Sequence, residues 1–183
     1  MSATHAILDD RLIAFIKAQH VFFVATAPLT ADGCVNVSPK GYDSFAILDP
    51  TTVAYLDYGG SGVETLAHVR ENGRITLMFC AFDGAANILR LYGQGQAMTL
   101  DEPDYPRLRA LFPGETKARA VIVVQLTRIA DSCGWGVPFM EFKAEREQLR
   151  RWIDNRSEEE WREKRYAANA RSVDGLPGLT RAE

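Results

Sequence analysis

Two rhythms of hydrophobic and polar positions run along this chain. Between Ile7 and His20, Leu8, Leu12, Phe15 and Ile16 recur at spacings of three and four, with Asp9, Asp10 and Lys17 off that face, which predicts an amphipathic helix. From Val21 the rhythm changes. Val21 to Ala27 is a continuous apolar run, Pro28 to Gly33 is a turn, and Cys34 to Ser38 alternates Val35 and Val37 against Asn36 and Ser38. Together they predict a β-hairpin. Pro39 is expected to end the ladder, because proline has no amide hydrogen to donate, and Lys40-Gly41 follows at the sheet rim. Phe45 to Leu48 is a short apolar piece closed by the Asp49-Pro50 turn.

The stretch Thr52 to Phe82 carries the strongest punctuation. Thr52 to Asp57 is β-branched and aromatic, and Gly59-Gly60-Ser61-Gly62 stops it. Ser61-x-x-Glu64 has the spacing of a capping box, Asn72-Gly73 has the signature of a helix end, and Arg74 to Phe82 follows as an apolar strand. After the Asp83-Gly84 turn, Asn87 to Met98 sets Leu89, Leu91 and Ala97 against Ile88, Arg90, Tyr92 and Gln94, with Gly93 and Gly95 marking a bulge or a close backbone approach. Asp104 to Phe112 predicts a short helix and Ala120 to Ile129 a strand. From Phe142 onward the chain is expected to be helical and charged, with Leu149, Trp152 and Ile153 as its apolar stripe and Ser157-x-x-Glu160 as a second capping box. The tail Ser172 to Leu179 places apolar residues between turn formers, as a frayed end or a docking segment would.

These elements predict a mainly β fold with flanking helices: six or seven strands in an antiparallel Greek-key barrel, whose closure removes exposed edges. Residues 1–141 form the barrel domain and 142–183 a helical extension and tail of the same domain. The 183 residues, 46% hydrophobic, suffice for one domain with a real core.

Charge and cysteine usage narrow the function classes. A net charge of −3, with acids and bases interspersed, gives no general attraction to nucleic acid or to an anionic membrane. Cys34, Cys80 and Cys133 are odd in number and far apart, as free thiols in a reducing compartment would be. His5, His20 and His68 have no metal-ligand spacing, so no metal site is expected. No apolar run is long enough to span a bilayer and no signal-peptide core begins the chain, so a cytoplasmic location is expected.

Four places carry candidate chemistry. The Gly59 to Gly62 turn and the helix start after it expose backbone N–H groups that suit an anion, although an ordinary capped helix has the same signature and Glu64 brings a negative charge. Lys40 is either a solvated turn residue or a phosphate ligand. Arg90 stands alone among apolar neighbours, and Trp135, between two glycines, is either a packing residue or a plate for a planar ring.

The order of these motifs adds a further expectation. An N-terminal helix, then FFVATA, VNVSPKG, TVAYLD, the glycine-serine turn with GVETLAHVRENGRITLMF, and ILRLYGQGQ resembles the pyridoxamine 5'-phosphate oxidase-like family of FMN-binding split barrels, over about Ala6 to Ile129. The resemblance implies a homodimer with FMN at the subunit interface and a small-molecule substrate. It places Asn36, Val37 and Ser38 along the flavin ring, Lys40 at the phosphate, Tyr55, Leu56 and Asp57 by the ring or ribityl chain, and Ser61, Gly62 and Thr65 around the phosphate. Arg90 and Trp135 are its remaining contacts, Trp135 from the second subunit.

Two departures qualify the resemblance. Ser61 and Gly62 stand where family members often carry basic residues. The tail DGLPGLTRAE lacks the arginine-containing substrate signature of the true oxidase, so oxidation of pyridoxine 5'-phosphate is not expected. The expectation is therefore an FMN-dependent oxidoreductase of unknown substrate with no assignable catalytic acid or base. Its alternative is a flavin- or haem-binding sensor without turnover, for which His68 is the histidine near the site.

Overall fold

The structure, a computed structural model, describes residues 2–114 and 117–181. Its strands are β1 (Ala3–His5), β2 (Phe22–Thr26), β3 (Asn36–Lys40), β4 (Phe45–Asp49), β5 (Thr52–Asp57), β6 (Arg74–Cys80), β7 (Ile88–Thr99) and β8 (Ala120–Ser132). The helices are α1 (Asp10–Lys17), α2 (Glu64–Asn72), α3 (Tyr105–Arg109), α4 (Gln148–Asp154) and α5 (Glu158–Ala168).

All strands join one eight-stranded antiparallel sheet in the order β3-β2-β6-β7-β8-β5-β4, with β1 also on β8. β3 and β4 lie at opposite ends of this order, yet the short loop Gly41–Ser44 connects them. So short a link holds the two ends close. The sheet is therefore rolled into a barrel split between β3 and β4. Inside it Phe22, Phe45, Tyr55 and Phe79 pack as an aromatic cluster with ring centroids 5.1 to 5.7 Å apart. The long strand β8 organises the rest, pairing with β7 along one edge and with β5 and β1 end to end along the other.

The pattern of the chain explains most of these elements. The inward face of α1 buries Leu12 and Ile16, and Asp9 caps it by accepting a hydrogen bond from the Leu12 amide at 2.8 Å. Gly73 ends α2 in the left-handed region at φ 72°, as the Asn72-Gly73 pair predicts. At the β7–β8 bulge a β-carbon on Gly93 would lie 2.4 Å from the Gln125 carbonyl oxygen, so only glycine fits that approach.

Four details differ from expectation. β1 is an added strand, too short to show a period. Pro39 and Lys40 continue β3, which proline tolerates because β3 ends the strand order. Ser61 does not cap α2: its N-cap is Val63, without a side-chain hydrogen bond, and Glu64 instead accepts from the Val173 amide at 3.2 Å. The capping box at Ser157 and Glu160 does form. Residues 142–147 are not helical, and α4 starts at Gln148. Of the two forms expected of the tail, it takes the docked one, against its own chain, with Leu179 buried in the main core and Arg171 paired with Pro177 in a β-bridge.

Candidate functional site

Strand alternation brings one set of candidate residues together. Asn36, Ser38 and Lys40 share one face of β3, across from Thr26, Val24 and Phe22 of β2, while Val35 and Val37 point the other way. On β5 the same alternation sends Tyr55 and Asp57 to the barrel side and Leu56 into a separate cluster with Leu108, Phe112 and Val121. The start of α2 adds Thr65 and His68 from its buried face.

Polar contacts link these elements. Asn36 donates through Nδ2 to Thr65 Oγ1 at 2.9 Å and to Thr26 Oγ1 at 3.2 Å, and Thr26 Oγ1 lies 3.0 Å from His68 Nδ1. His68 is fully buried, and burial lowers its affinity for a proton. Among the described residues the buried Ser38 Oγ, Tyr55 hydroxyl and His68 Nε2 have no hydrogen-bond partner. Burial, with Asp57 nearby, also raises Tyr55 well above its usual value, so its hydroxyl stays protonated as a donor. Two unpaired hydroxyls beside an edge strand leave polar capacity that a ligand can use.

The electrostatics concentrate at the turn after β5. Asp57 Oδ2 accepts from Arg119 Nε at 3.1 Å and Nη2 at 3.0 Å, Asp57 Oδ1 accepts from the Gly59 amide at 3.2 Å, and Lys40 Nζ stands 3.8 Å from Oδ1. Burial pushes the Asp57 carboxyl up, but Arg119 and Lys40 outweigh it and hold the group down at about 2. Arg119 also donates through Nη1 to the Gly62 carbonyl at 2.7 Å. From α5, Arg165 Nη1 donates to the Gly60 carbonyl at 2.6 Å and Asn169 Nδ2 to the same oxygen at 3.2 Å. Burial and then repulsion from Arg119 lower the Arg165 pKa. Lys40 and Arg119 thus share one carboxylate with Arg165 close behind, and these three cations outweigh Asp57 and the Glu64 carboxylate set against Gly62, which leaves the turn with a net positive balance.

Its backbone is open as well. Among the described residues the amides of Gly60 to Leu66 find no acceptor in the protein; the first helical bond runs from Ala67 to the Val63 carbonyl. Such a run of free N–H groups ahead of a helix in a positive field is suited to an anion.

The other candidates lie apart from this turn. Val37 is 62% exposed on the outer face of the sheet, where the register sets it beside Ala25 and where Phe23, Met78 and Arg90 form the adjoining row. Arg90 donates to Ser132 Oγ at 3.0 Å. Trp135 is 85% exposed in the segment after β8, followed by exposed Phe139, Met140 and Phe142. Phe139, Met140 and Phe142, with Phe23 and Phe82, line an outer groove of about 930 Å³. Leu56 is sealed in its own core. Ser61 is exposed at the turn and Gly62 is half-buried there.

Sequence reasoning missed Arg119, Arg165 and Asn169. Arg119 adjoins the most apolar strand of the chain, the usual place for a solvated end residue, and Arg165 lies among so many charges in α5 that its burial leaves no periodic trace. A haem ligand is also disfavoured at His68, whose ring is enclosed by α2 and the barrel. Among the described residues no cluster of His, Cys, Asp and Glu could hold a metal ion, and no helix is long and apolar enough to cross a membrane.

Comparison with known proteins agrees with this architecture. The family model described as pyridoxamine 5'-phosphate oxidase matches residues 8–133. A pyridoxamine 5'-phosphate oxidase family protein of Aspergillus flavus, ustO, is 38% identical over 191 residues, spanning 94% of this chain and 76% of that protein. Among solved structures, a Lactobacillus delbrueckii protein provisionally assigned as a pyridoxamine 5'-phosphate oxidase superposes with a TM-score of 0.54 at 18% identity, covering 70% of this chain and 97% of its own. A single-residue variant of HupZ from Group A Streptococcus gives 0.52 at 22% identity, covering 68% and 98%. These two establish the split-barrel fold alone. With the family match and the Aspergillus relative, they establish that the chain belongs to the pyridoxamine 5'-phosphate oxidase family.

Proposed function

We propose that this protein is a homodimeric FMN-binding oxidoreductase acting on a small molecule other than pyridoxine 5'-phosphate. The observation that carries the reading is the electropositive turn at Asp57 to Gly62, with unpaired amides and two unpaired hydroxyls beside it. The FMN phosphate suits this place. Lys40 supplies a cation, Thr65 a hydroxyl, and Ser61, Gly62 and Val63 their amides. Asn36, Ser38 and Tyr55 offer polar groups to the ring edge, and Asp57 keeps Lys40 and Arg119 in place.

Bound flavin would supply the electron transfer, which no side chain of the site can perform alone. The chain binds and orients the cofactor and keeps water from one side of it. The unpaired Tyr55 hydroxyl, protonated across the physiological range, would serve as a fixed donor. The polar turn and the outer residues Val37, Arg90 and Trp135 lie on different faces, so the second subunit is the means by which one cofactor meets both. The exposed Val35 and Val37 support a protein surface docking there. The outer groove at Phe23, Phe82 and Phe142 is of substrate size and takes an apolar molecule. Leu179 is buried in the core, which leaves the tail unavailable as a substrate loop. A cytoplasmic setting fits the three free cysteines.

The test is a visible spectrum of the purified protein, then titrations with FMN and with riboflavin. Flavin bands that stay with the protein and a preference for FMN of at least tenfold are expected. Retention of neither flavin would refute the reading.

A further inference from the structure

We infer that the C-terminal extension is part of the cofactor site, with Arg165 and Asn169 acting as positioning residues for the phosphate-binding turn. The inference rests on the proposed FMN site and adds residues that lie beyond the matched family region, which ends at 133. The solved split barrels are nearly fully covered yet reach only 68% and 70% of this chain, whereas the Aspergillus relative spans 94% of it. The extension is thus an addition to the barrel in this branch of the family.

Its contacts fall on the turn. Arg165 and Asn169, 7% and 0% exposed, both hold the Gly60 carbonyl, and Arg119, from the barrel, holds that of Gly62. In a trans peptide the C=O and the following N–H point in opposite directions. Fixing the Gly60 carbonyl toward α5 therefore turns the Ser61 amide away from α5, and fixing the Gly62 carbonyl toward Arg119 turns the Val63 amide away from that guanidinium. Neither amide has a protein acceptor among the described residues. The same guanidinium groups add their charge behind the turn, where Ser61 and Gly62 have none. Arg165 is committed to this role: its cation lies over the Trp152 ring at 4.6 Å, and among the described residues its one side-chain hydrogen bond goes to the Gly60 carbonyl. The tail closes the arrangement, since Val173 donates to Glu64 and Arg70 donates to the Gly178 carbonyl at 2.6 Å. The first of these contacts gives Glu64 Oε1 a partner in the tail, while Oε2 stays against Gly62.

The experiment compares FMN with riboflavin, which lacks the phosphate, on wild type, Arg165→Met, Arg165→Lys and Asn169→Ser. Arg165→Met keeps the side-chain stem and should weaken FMN at least tenfold while leaving riboflavin within twofold. Arg165→Lys should recover most of the loss, and Asn169→Ser should weaken FMN about threefold. An unchanged ratio of FMN to riboflavin affinity in Arg165→Met overturns the inference; should that variant not fold, an unchanged ratio in Asn169→Ser does so. Wild-type protein that does not favour FMN over riboflavin overturns the cofactor reading and this inference with it. A preference that survives Arg165→Met overturns this inference alone.

Discussion

The two faces of β3 break the ordinary rule of burial in opposite directions. Toward the barrel, Asn36, Ser38 and Lys40 bring an amide, a hydroxyl and a cation to places where a core would hold apolar groups; away from it, Val35 and Val37 present hydrocarbon to solvent. Each inversion costs free energy unless something answers it. The inner polar set is answered partly by Asp57, Thr65 and Thr26, and Ser38 remains for a ligand. Among the described residues nothing covers the outer apolar set. The difference teaches that one strand carries two chemically opposite surfaces, which the proposed function assigns to a small molecule and to a second subunit, and that the two can be disrupted separately.

The largest effect should come from the inner side. Asp57→Asn keeps the shape and removes the charge, which leaves Arg119 buried without its carboxylate; breaking a buried pair in this way costs about 3 to 5 kcal/mol. Chemical denaturation should show that loss together with loss of FMN. The pair also sets an acid limit. The folded Asp57 pKa is depressed to about 2, so its contribution is complete above the unfolded value of about 3.9 and fades as pH falls from there toward 2. Wild type should lose on the order of 2 kcal/mol across that interval, and Asp57→Asn should lack this part of the acid transition.

The outer side is broken by Val37→Glu. A carboxylate placed in an apolar contact without a partner costs several kcal/mol of association, so the dimer should dissociate at micromolar concentration. Light scattering would show the monomer mass. Because Val37 is already exposed, the monomer's own stability should change by less than about 0.5 kcal/mol. An unaltered dimer would place the interface elsewhere. Lys40→Met then sharpens the inner side without unfolding it. It removes the cation proposed to meet the FMN phosphate; since a charged hydrogen bond is worth about 1.5 to 3 kcal/mol, FMN should weaken by tenfold or more while riboflavin is spared, as isothermal titration would record.

How much of this was legible in the sequence follows from the range of the interactions. The barrel strands, the alternation of β3, the αL end at Gly73 and the close approach at Gly93 are local or periodic, and the residues state them. Asn36, Ser38, Lys40, Tyr55, Asp57 and Thr65 could be named in order along the chain and do converge. Arg119 and Arg165 could not. Their role depends on contacts across 57 and 105 positions, and neither breaks the local pattern around it. Ser61 misled for the converse reason: the spacing to Glu64 satisfies a local rule that a distant segment, the tail at Val173, overrides. The division of the candidate set between two faces of one sheet was implicit in the period of two, but only the barrel shows which face is inside.

The smallest effect concerns His68, where the two faces are no longer in play and the interior alone is tested. Its ring is fully buried, Nδ1 is 3.0 Å from Thr26 Oγ1, and Asn36 already donates to that oxygen, so the threonine hydrogen is free to donate to Nδ1. With the threonine donating, the ring is neutral and carries its proton on Nε2. Protonating Nδ1 would make the threonine hydroxyl turn to accept from it and would bury a charge. Burial accordingly lowers the folded pKa, although Asp174, Glu71 and Glu64 pull it upward. For a base with a depressed folded pKa the unfolded chain takes up the proton first, so stability is full above about pH 6.5 and declines as pH falls below it. His68→Gln keeps a polar side chain near Thr26 and cannot titrate. Melting curves of wild type between pH 7.5 and 5 should fall on the acid side, and those of the variant should stay flat through that interval. Parallel curves would mean that folded His68 takes up its proton as readily as the unfolded chain does, with Thr26 Oγ1 then accepting from both Asn36 and Nδ1.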